Sequence, residues 1–363
     1  MKQPQHLLVI TVDTLRADYL TCNGSDKTKT PHFDRFAESG VNLAHHLTSI
    51  GSTLSSHCSL FSASTPMVNK VKCNGMRDEN KRKTLPLIAA ENGYQTAAIT
   101  SWCGFQAQQG YGFQSLHSDH KAASLENRGD KTLERVQEWV AETDPSKPLF
   151  LWVHLIDPHT PYNCPEPYPQ TYEGSVEFSD YIVGQILKEW DGKMGLENTM
   201  TVLTADHGEH LNDHGIEVGH GTLWHTNLWA PLMISSPGHI NPGTRIPELV
   251  RQIDVMPTIL DYLKLPMPYD CQGMSIRGLI EGHDRDLKLL HQGQAFYEEK
   301  TANAKRVPDA TTIRNDEFSF HFSKDGTLSH VFDTRSDPGE ERDLCQGDKV
   351  EYSVEHSIKD SRE

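Results

Sequence analysis

Leu7-Leu8-Val9-Ile10-Thr11-Val12-Asp13 runs apolar, broken only by Thr11, and stops at a carboxylate. A strand with one wet face alternates apolar and polar residues. A continuous apolar run is what a strand buried on both faces of a parallel sheet requires. In open α/β sheets, ligands gather beyond the C-terminal ends of such strands, which is where Asp13 falls. The same pattern recurs downstream. Pro148–Leu155 runs into Asp157-Pro-His159, Thr199–Thr204 into Asp206-His207-Gly208, and Pro231–Ser235 is closed by Pro237-Gly238. Thr96–Thr100 reads as a shorter strand. Between them Phe33–Gly40, Leu85–Asn92, Ser124–Glu142, Phe178–Trp190 and Asp254–Leu263 carry helical spacing or helix stops. This alternation predicts an α/β fold, a mostly parallel doubly wound sheet flanked by helices.

From about residue 285 the pattern changes to short segments, Ala310–Arg314, Phe318–Phe322 and His330–Phe332, which predict a small antiparallel sheet. The expected division is a catalytic α/β domain over 1–284, a small C-terminal α+β subdomain over 285–348, and a polar tail over 349–363. The chain has 363 residues and a net charge of −16, with no Lys/Arg-rich block to offset it. Nucleic acid and anionic membrane surfaces are therefore excluded as partners. An anionic substrate needs a local cation, most simply a metal ion. Leu7–Val12 is too short for a signal core or a membrane span. Seven cysteines at irregular spacing form no disulfide framework. Both features predict a cytoplasmic protein.

A second stretch carries candidate chemistry. Ser52-Thr53-Leu54-Ser55-Ser56-His57-Cys58-Ser59 crowds hydroxyls, an imidazole and a thiol where a loop turns into an apolar helix. A hydroxyl-capped helix start accounts for it without chemistry. The same free N–H groups and positive dipole end would also suit a nucleophile attacking an anionic ester. Asp13, the group His154, Asp157 and His159, and the pair Asp206 and His207 all fall at strand ends. Asp and His together suit a divalent ion of borderline hardness. Thr204–His225 holds five histidines. His210 and His214 lie beside acidic residues and read as scaffold. His220, between glycines, has the backbone freedom to approach a substrate.

These residues resemble the sulfatase-like branch of the alkaline phosphatase superfamily over roughly 7–345. The landmarks are Val12-Asp13-Thr-Leu-Arg-Ala-Asp18, Thr30-Pro-His-Phe-Asp34, Thr53-Leu-Ser-Ser-His57, Asp157-Pro-His159-Thr-Pro161-Tyr162, Thr204-Ala-Asp206-His207-Gly-Glu209, Trp229-Ala-Pro231-Leu232, Asp254-Val-Met-Pro257-Thr258 and Phe332-Asp333-Thr-Arg-Ser-Asp337-Pro338-Gly339-Glu340. The resemblance implies a metal-dependent hydrolase of phosphate, phosphonate or sulfate esters. It places one divalent ion (Mn2+, Zn2+ or Ca2+) on Asp13, Asp206 and His207, with the Thr53 oxygen reaching the same ion. A second ion stands as a minority reading, since Asp157 and His159 lack the spacing of two-metal relatives.

Thr53 maps to the nucleophile. Sulfatases of the family carry there a cysteine, oxidised to formylglycine within Cys-x-Pro-Ser-Arg. Thr53-Leu54-Ser55-Ser56-His57 lacks the cysteine, the proline and the arginine, and Cys58 lies five positions late. No formylglycine is expected. His57 would stand in for the arginine, His159 would contact the ester or protonate the leaving group, and His220 would sit near the leaving oxygen. The alternatives are a sulfatase without formylglycine, a phosphotransferase, or a non-catalytic anion binder. The implied partner is a small anionic ester, and a homo-oligomer stays open.

Overall fold

The computed structural model describes residues 3–78, 82–118, 128–283, 287–295 and 309–346. The strands in chain order are β1 His6–Val12, β2 Val41–Leu47, β3 Gln95–Thr100, β4 Ser115–Ser118, β5 Leu149–Leu155, β6 Thr199–Ala205, β7 His210–Leu211, β8 Val218–Gly219, β9 Leu232–Ser235, β10 Thr244–Arg251, β11 His291–Gln294, β12 Asp309–Arg314, β13 Phe318–Ser323 and β14 Leu328–Asp333. The helices are α1 Pro31–Ser39, α2 Thr53–Ser62, α3 Pro66–Asn69, α4 Leu85–Glu91, α5 Gly129–Glu142, α6 Tyr172–Met194, α7 His225–Leu228, α8 Val255–Tyr262 and α9 Arg277–Ile280.

Eight strands form one sheet in the order β10-β2-β9-β6-β1-β5-β3-β4. β1 lies near its centre and pairs in parallel with β5 on one side and β6 on the other. The reason it reads as unbroken apolar is visible in its two faces. Leu7 and Val9 enter one hydrophobic core together with Trp152 and Phe61. Leu8, Ile10 and Val12 enter a second core on the opposite face, with Phe33, Phe178 and Trp190. Full burial of each such side chain contributes about 1.5–3 kcal/mol, so both faces drive β1 inward. Thr11, the polar side chain that interrupts the apolar run, is buried but hydrogen-bonded: its hydroxyl accepts from Trp152 Nε1 at 2.9 Å.

The sheet is mixed at one place. β9 runs antiparallel to both β6 and β2. The sequence marks Pro231–Ser235 as a strand but not its direction, because buried strands of either direction read alike. β2, β4 and β10 were not anticipated either. β2 and β10 carry polar residues such as Asn42, His45, His46 and Glu248, so neither shows a clean apolar run. β5, β6 and α8 fall within one or two residues of expectation, whereas α6 runs further than Phe178–Trp190 at both ends. Residues 119–127 and the polar tail 349–363 lie outside the described residues.

The second sheet is four-stranded and antiparallel, in the order β11-β12-β13-β14. Its last three strands match the expected segments. β11, His291-Gln-Gly-Gln294, has no apolar pattern and is placed by tertiary bonds. Gln294 N donates to Ser49 O at 3.0 Å, and His291 Nε2 to Thr48 O at 2.9 Å. Both acceptors lie in the loop that leads into α2. No helix among the described residues is long and apolar enough to cross a membrane.

β2 buries His46, whose Nδ1–H donates to Ala230 O at 3.2 Å. Burial pushes this imidazole down to about 4. In the unfolded chain a histidine titrates near about 6.5. Below that value the unfolded state takes up a proton that the native state refuses until the pH nears 4. The His46 contribution to stability is thus intact above about pH 6.5, and falls by about 1.4 kcal/mol per pH unit on acidification toward pH 4. His46→Gln should take up about one proton fewer on unfolding at pH 5. Urea melts at pH 5 and 7 measure this, and the variant's stability should change less between them than that of the parent chain.

Candidate active site

Register brings the acidic strand ends together. Val12 is the partner of Leu155 in β5 and of Ala205 in β6. Asp13 and Asp206, one residue further on, therefore leave adjacent strands side by side, and adjacent strands are spaced about 4.8 Å apart. Asp13 N donates to Leu155 O at 2.8 Å, which holds the strand end in register. Beyond it Thr14 takes a left-handed turn at φ 56°. Tyr172 OH, from the start of α6, donates to Thr14 O at 2.7 Å and accepts from Arg16 N at 2.9 Å, pinning that turn.

Asp206 Oδ1 accepts from Thr14 N at 3.2 Å and from His207 N at 2.9 Å. His207 Nδ1–H donates to Gly208 O at 2.9 Å, which leaves the Nε2 lone pair free. That lone pair faces Asp206 Oδ2 at 3.4 Å, Asp13 Oδ1 at 3.8 Å and Thr53 Oγ1 at 3.4 Å. Asp13 Oδ1 and Asp206 Oδ2 are buried without a hydrogen-bond partner. Three lone-pair atoms thus converge with at most the Thr53 hydroxyl hydrogen to share. One ligand atom from each of Asp13, Asp206 and His207 lies within 4.8 Å of the others. Two carboxylate oxygens and an imidazole nitrogen fit a divalent cation. The electrostatics agree. Burial and the neighbouring Asp13 charge push Asp206 well up from the carboxylate range. Asp13 stays low despite its burial because His154, His159 and His207 surround it.

Thr53 is the first residue of α2, with Ser52 at the N-cap. The expected hydroxyl cap is not what forms, since Ser52 makes no side-chain bond to the helix. Asn74 takes that role instead: its Oδ1 accepts from Leu54 N at 2.9 Å and from Ser52 Oγ at 3.1 Å. The helix is tied to the carboxylates through Ser56, whose hydroxyl donates to Asp206 O and accepts from Gln252 Nε2 at 2.6 Å. Thr53 is 3% exposed, at the head of the helix and level with the ligand cluster.

His57 does not face outward in the manner of a substrate-binding arginine. It lies one turn below Thr53, fully buried beside Phe105 and Trp152. Its Nδ1–H donates to Thr53 O at 2.8 Å, and its Nε2 accepts from Thr11 Oγ1 at 3.0 Å. Both ring nitrogens are used, because a core position leaves them no open side. Cys58 is likewise in the core, its thiol pushed up to about 12 by burial.

His159 and His220 meet above the cluster. His220 Nδ1–H donates to Gly51 O at 3.1 Å, and His159 Nδ1–H to Thr160 O at 2.7 Å. Their Nε2 atoms are 3.3 Å apart, and the His220 ring centre lies 4.6 Å from that of His207. Burial and the nearby imidazoles His207 and His159 push His220 down to about 3. Burial opposes charge on His159 too, but Asp13, Thr160 O and Glu209 outweigh it and raise its affinity for a proton. Of the two facing Nε2 atoms, that of His159 is therefore the better placed to carry a proton. Both residues are half-buried, so the cluster opens on this side.

Other strand-end candidates are scaffold. Asp157 accepts from Gly129 N at 2.8 Å at the head of α5. His210 Nε2 donates to Thr222 Oγ1 at 2.7 Å, and His214 stacks on Trp224 at 3.8 Å. His154, a strand-end candidate left out of the expected ligand set, has its Nε2 3.4 Å from Asp13 Oδ2 and is fully buried. The signal was its position: His154 pairs with Thr11 in the register that sets Asp13. His57, His154 and Asp206 form a second cluster of possible ligands. The two bonds to the His57 ring make it the weaker cluster.

The family model described as Sulfatase matches residues 5–265. The chain belongs to the sulfatase family. A second model, N-sulphoglucosamine sulphohydrolase, C-terminal, matches residues 220–362. An arylsulfatase of Clostridium perfringens is 21% identical over 97% of this chain and 92% of its own length. Rat arylsulfatase K is 24% identical over 68% of the chain, which spans only 47% of that relative. Among solved structures, the phosphonate monoester hydrolase of Agrobacterium radiobacter superposes with a TM-score of 0.84 at 17% identity, covering 99% of this chain and 94% of its own. A structure solved with its substrate D-glucosamine-2-N,6-O-disulfate superposes with a TM-score of 0.83 at 17% identity, covering 98% and 96%. The eight-stranded sheet with its small C-terminal antiparallel sheet is the fold shared with these structures.

The convergence of Asp13, Asp206 and His207 has a measurable consequence for this sulfatase-family chain. Protein stripped with a chelator should melt at a lower temperature. Restoring Mn2+, Zn2+ or Ca2+ to a hundred times its dissociation constant should return about 2.7 kcal/mol. Asp206→Asn should bind little metal by elemental analysis. Without metal it should melt no lower than the parent, because the substitution relieves a buried carboxylate pair. Thermal melts with and without metal test both halves.

Proposed function

We propose that this protein is a metal-dependent hydrolase of phosphate or phosphonate esters, with Thr53 as the nucleophile. The observation that carries the reading is the Thr53 oxygen at the head of α2, 3.4 Å from His207 Nε2 and level with two unpartnered carboxylate oxygens. A divalent ion held by Asp13, Asp206 and His207 would supply positive charge to lower the pKa of a nearby hydroxyl and neutralise an ester oxygen. One ion is the favoured stoichiometry, since His57 has no free lone pair for a second. The protein's own groups supply the rest. The α2 N-terminus favours negative charge at the reacting centre. Thr53 Oγ1 gives up its proton to solvent, attacks phosphorus and becomes esterified as the bond from phosphorus to the leaving oxygen breaks. The leaving oxygen takes the proton held on His159 Nε2, with His220 orienting it. Water then cleaves the threonine ester, giving a proton back to His159 Nε2, while Thr53 regains its proton from solvent.

Threonine in place of a formylglycine precursor supports phosphorus over sulfur as the favoured centre. Relatives named arylsulfatase keep sulfate esters as the competing reading. The implied partner is a small anionic ester. Its specificity would come from the loops 69–83, 106–119 and 163–174, of which 79–81 and 119 lie outside the described residues.

A panel of nitrophenyl phosphate, phosphonate, phosphodiester and sulfate, assayed with each metal, separates the readings. The phosphorus esters should turn over faster than the sulfate; the reverse order would establish the sulfatase reading. Thr53→Ala should lower turnover by at least ~10³-fold on the best ester. Activity near the parent level in Thr53→Ala would rule out the mechanism.

A further inference from the structure

His220 sits between Gly219 at φ 149° and Gly221 at φ 88°, so its own backbone gives it little rigidity. Its anchors lie on either side in space. On one side Nδ1 holds Gly51 O, where a side chain on Gly51 would stand 2.9 Å from Gly221 N. On the other, the segment 222–228 is fixed by the C-terminal sheet. Glu340 follows Asp337-Pro338-Gly339, and its carboxylate is fully buried. Glu340 Oε2 accepts from His225 N at 2.8 Å. Glu340 Oε1 accepts from Arg314 Nη2 at 2.9 Å, and the same nitrogen donates to Leu223 O at 2.5 Å. His321 Nε2 completes the cluster, 3.2 Å from Glu340 Oε1.

From there the bonds lead into the active site. Thr222 donates to Asn227 Oδ1 through both N, at 3.0 Å, and Oγ1, at 2.9 Å. Asn227 O accepts from Gly208 N at 2.8 Å, next to His207. A side chain at position 208 would stand 2.1 Å from Thr226 O, so this approach needs glycine. The two loops that carry His207 and His220 are thus bonded together, and the second is held from behind by one buried carboxylate.

We propose that Glu340 is a positioning residue: through His225 N and Arg314 it fixes segment 222–228 and so holds His220 against His159. The inference rests on the reading that His159 and His220 serve the leaving oxygen. A buried ion pair is weak evidence for stability on its own, but removing one member leaves the other charge unpaired. Here the penalty falls on the backbone of an active-site loop.

The test compares the parent, His220→Ala and Glu340→Gln on two phosphate monoesters, a nitrophenyl ester with a good leaving group and an alkyl ester with a poor one. Folding is checked by circular dichroism and metal by elemental analysis. A misplaced leaving-group acid slows the poor leaving group selectively. His220→Ala should lower turnover of the alkyl ester by ~10²-fold or more while changing the nitrophenyl ester far less. Glu340→Gln should show the same selectivity at ~10-fold or more, with metal content unchanged.

A selective loss in His220→Ala beside an equal loss on both esters in Glu340→Gln would overturn the positioning role alone. So would activity lost in step with metal. An unselective His220→Ala would overturn the leaving-group reading and this inference with it. If Glu340→Gln does not fold, Glu340→Asp, which keeps the charge but shortens its reach to His225 N and Arg314, decides by the same two esters: selective loss supports the role, and uniform change overturns it.

Discussion

Two carboxylates leave neighbouring parallel strands at the same level, and neither can be moved without shifting the register of the sheet. Asp13 and Asp206 follow Val12 and Ala205, which are partners across β1 and β6. In a dry site two such groups do not both ionise without a compensating charge. His207, held by Gly208 O in the tautomer that leaves Nε2 bare, adds a third lone pair instead of a proton. The site is therefore shaped around positive charge, and the rest of the molecule keeps that arrangement in place.

The supports come from every quarter of the chain. Tyr172 of α6 pins the turn after Asp13, and Ser56 of α2 is bonded to the Asp206 carbonyl. Gln252, at the end of β10, holds Ser56 in turn. Asn74 caps α2 from a separate loop. The C-terminal sheet reaches the site twice, once through β11 and the Thr48–Ser49 backbone, and once through Glu340 and the loop that carries His220. This last link gives the small sheet a part in the site, although it contributes no group to the ligand cluster.

Much of this was legible in the residues. A continuous apolar run can only be a strand or helix buried on both sides, and a carboxylate after it can only sit at the rim. That logic placed β1, β5 and β6 and named Asp13, Asp206, His207 and His159 as strand-end neighbours, while His220 was singled out by its flanking glycines and by the family resemblance. It failed where the pattern is mixed. β2 and β10 hold polar residues inside the sheet, and β11 has no apolar residue at all. It also overreached at His57. A helical offset of four puts His57 beneath Thr53, but whether that face meets solvent or core depends on what packs there, and Phe105 and Trp152 come from distant segments.

The sequence by itself determined the class of fold, the strand ends at which chemistry collects, and the threonine at the head of α2, since burial pattern and residue type are local properties. Tertiary structure decided which of the many histidines face the cluster and which serve the scaffold, because an imidazole's role is set by the partner on its second nitrogen. It also decided that β9 runs antiparallel, that Asn74 and not Ser52 caps α2, and that Glu340 braces the loop of His220. Each of these is a contact between segments far apart in the chain, and no local pattern encodes the far partner.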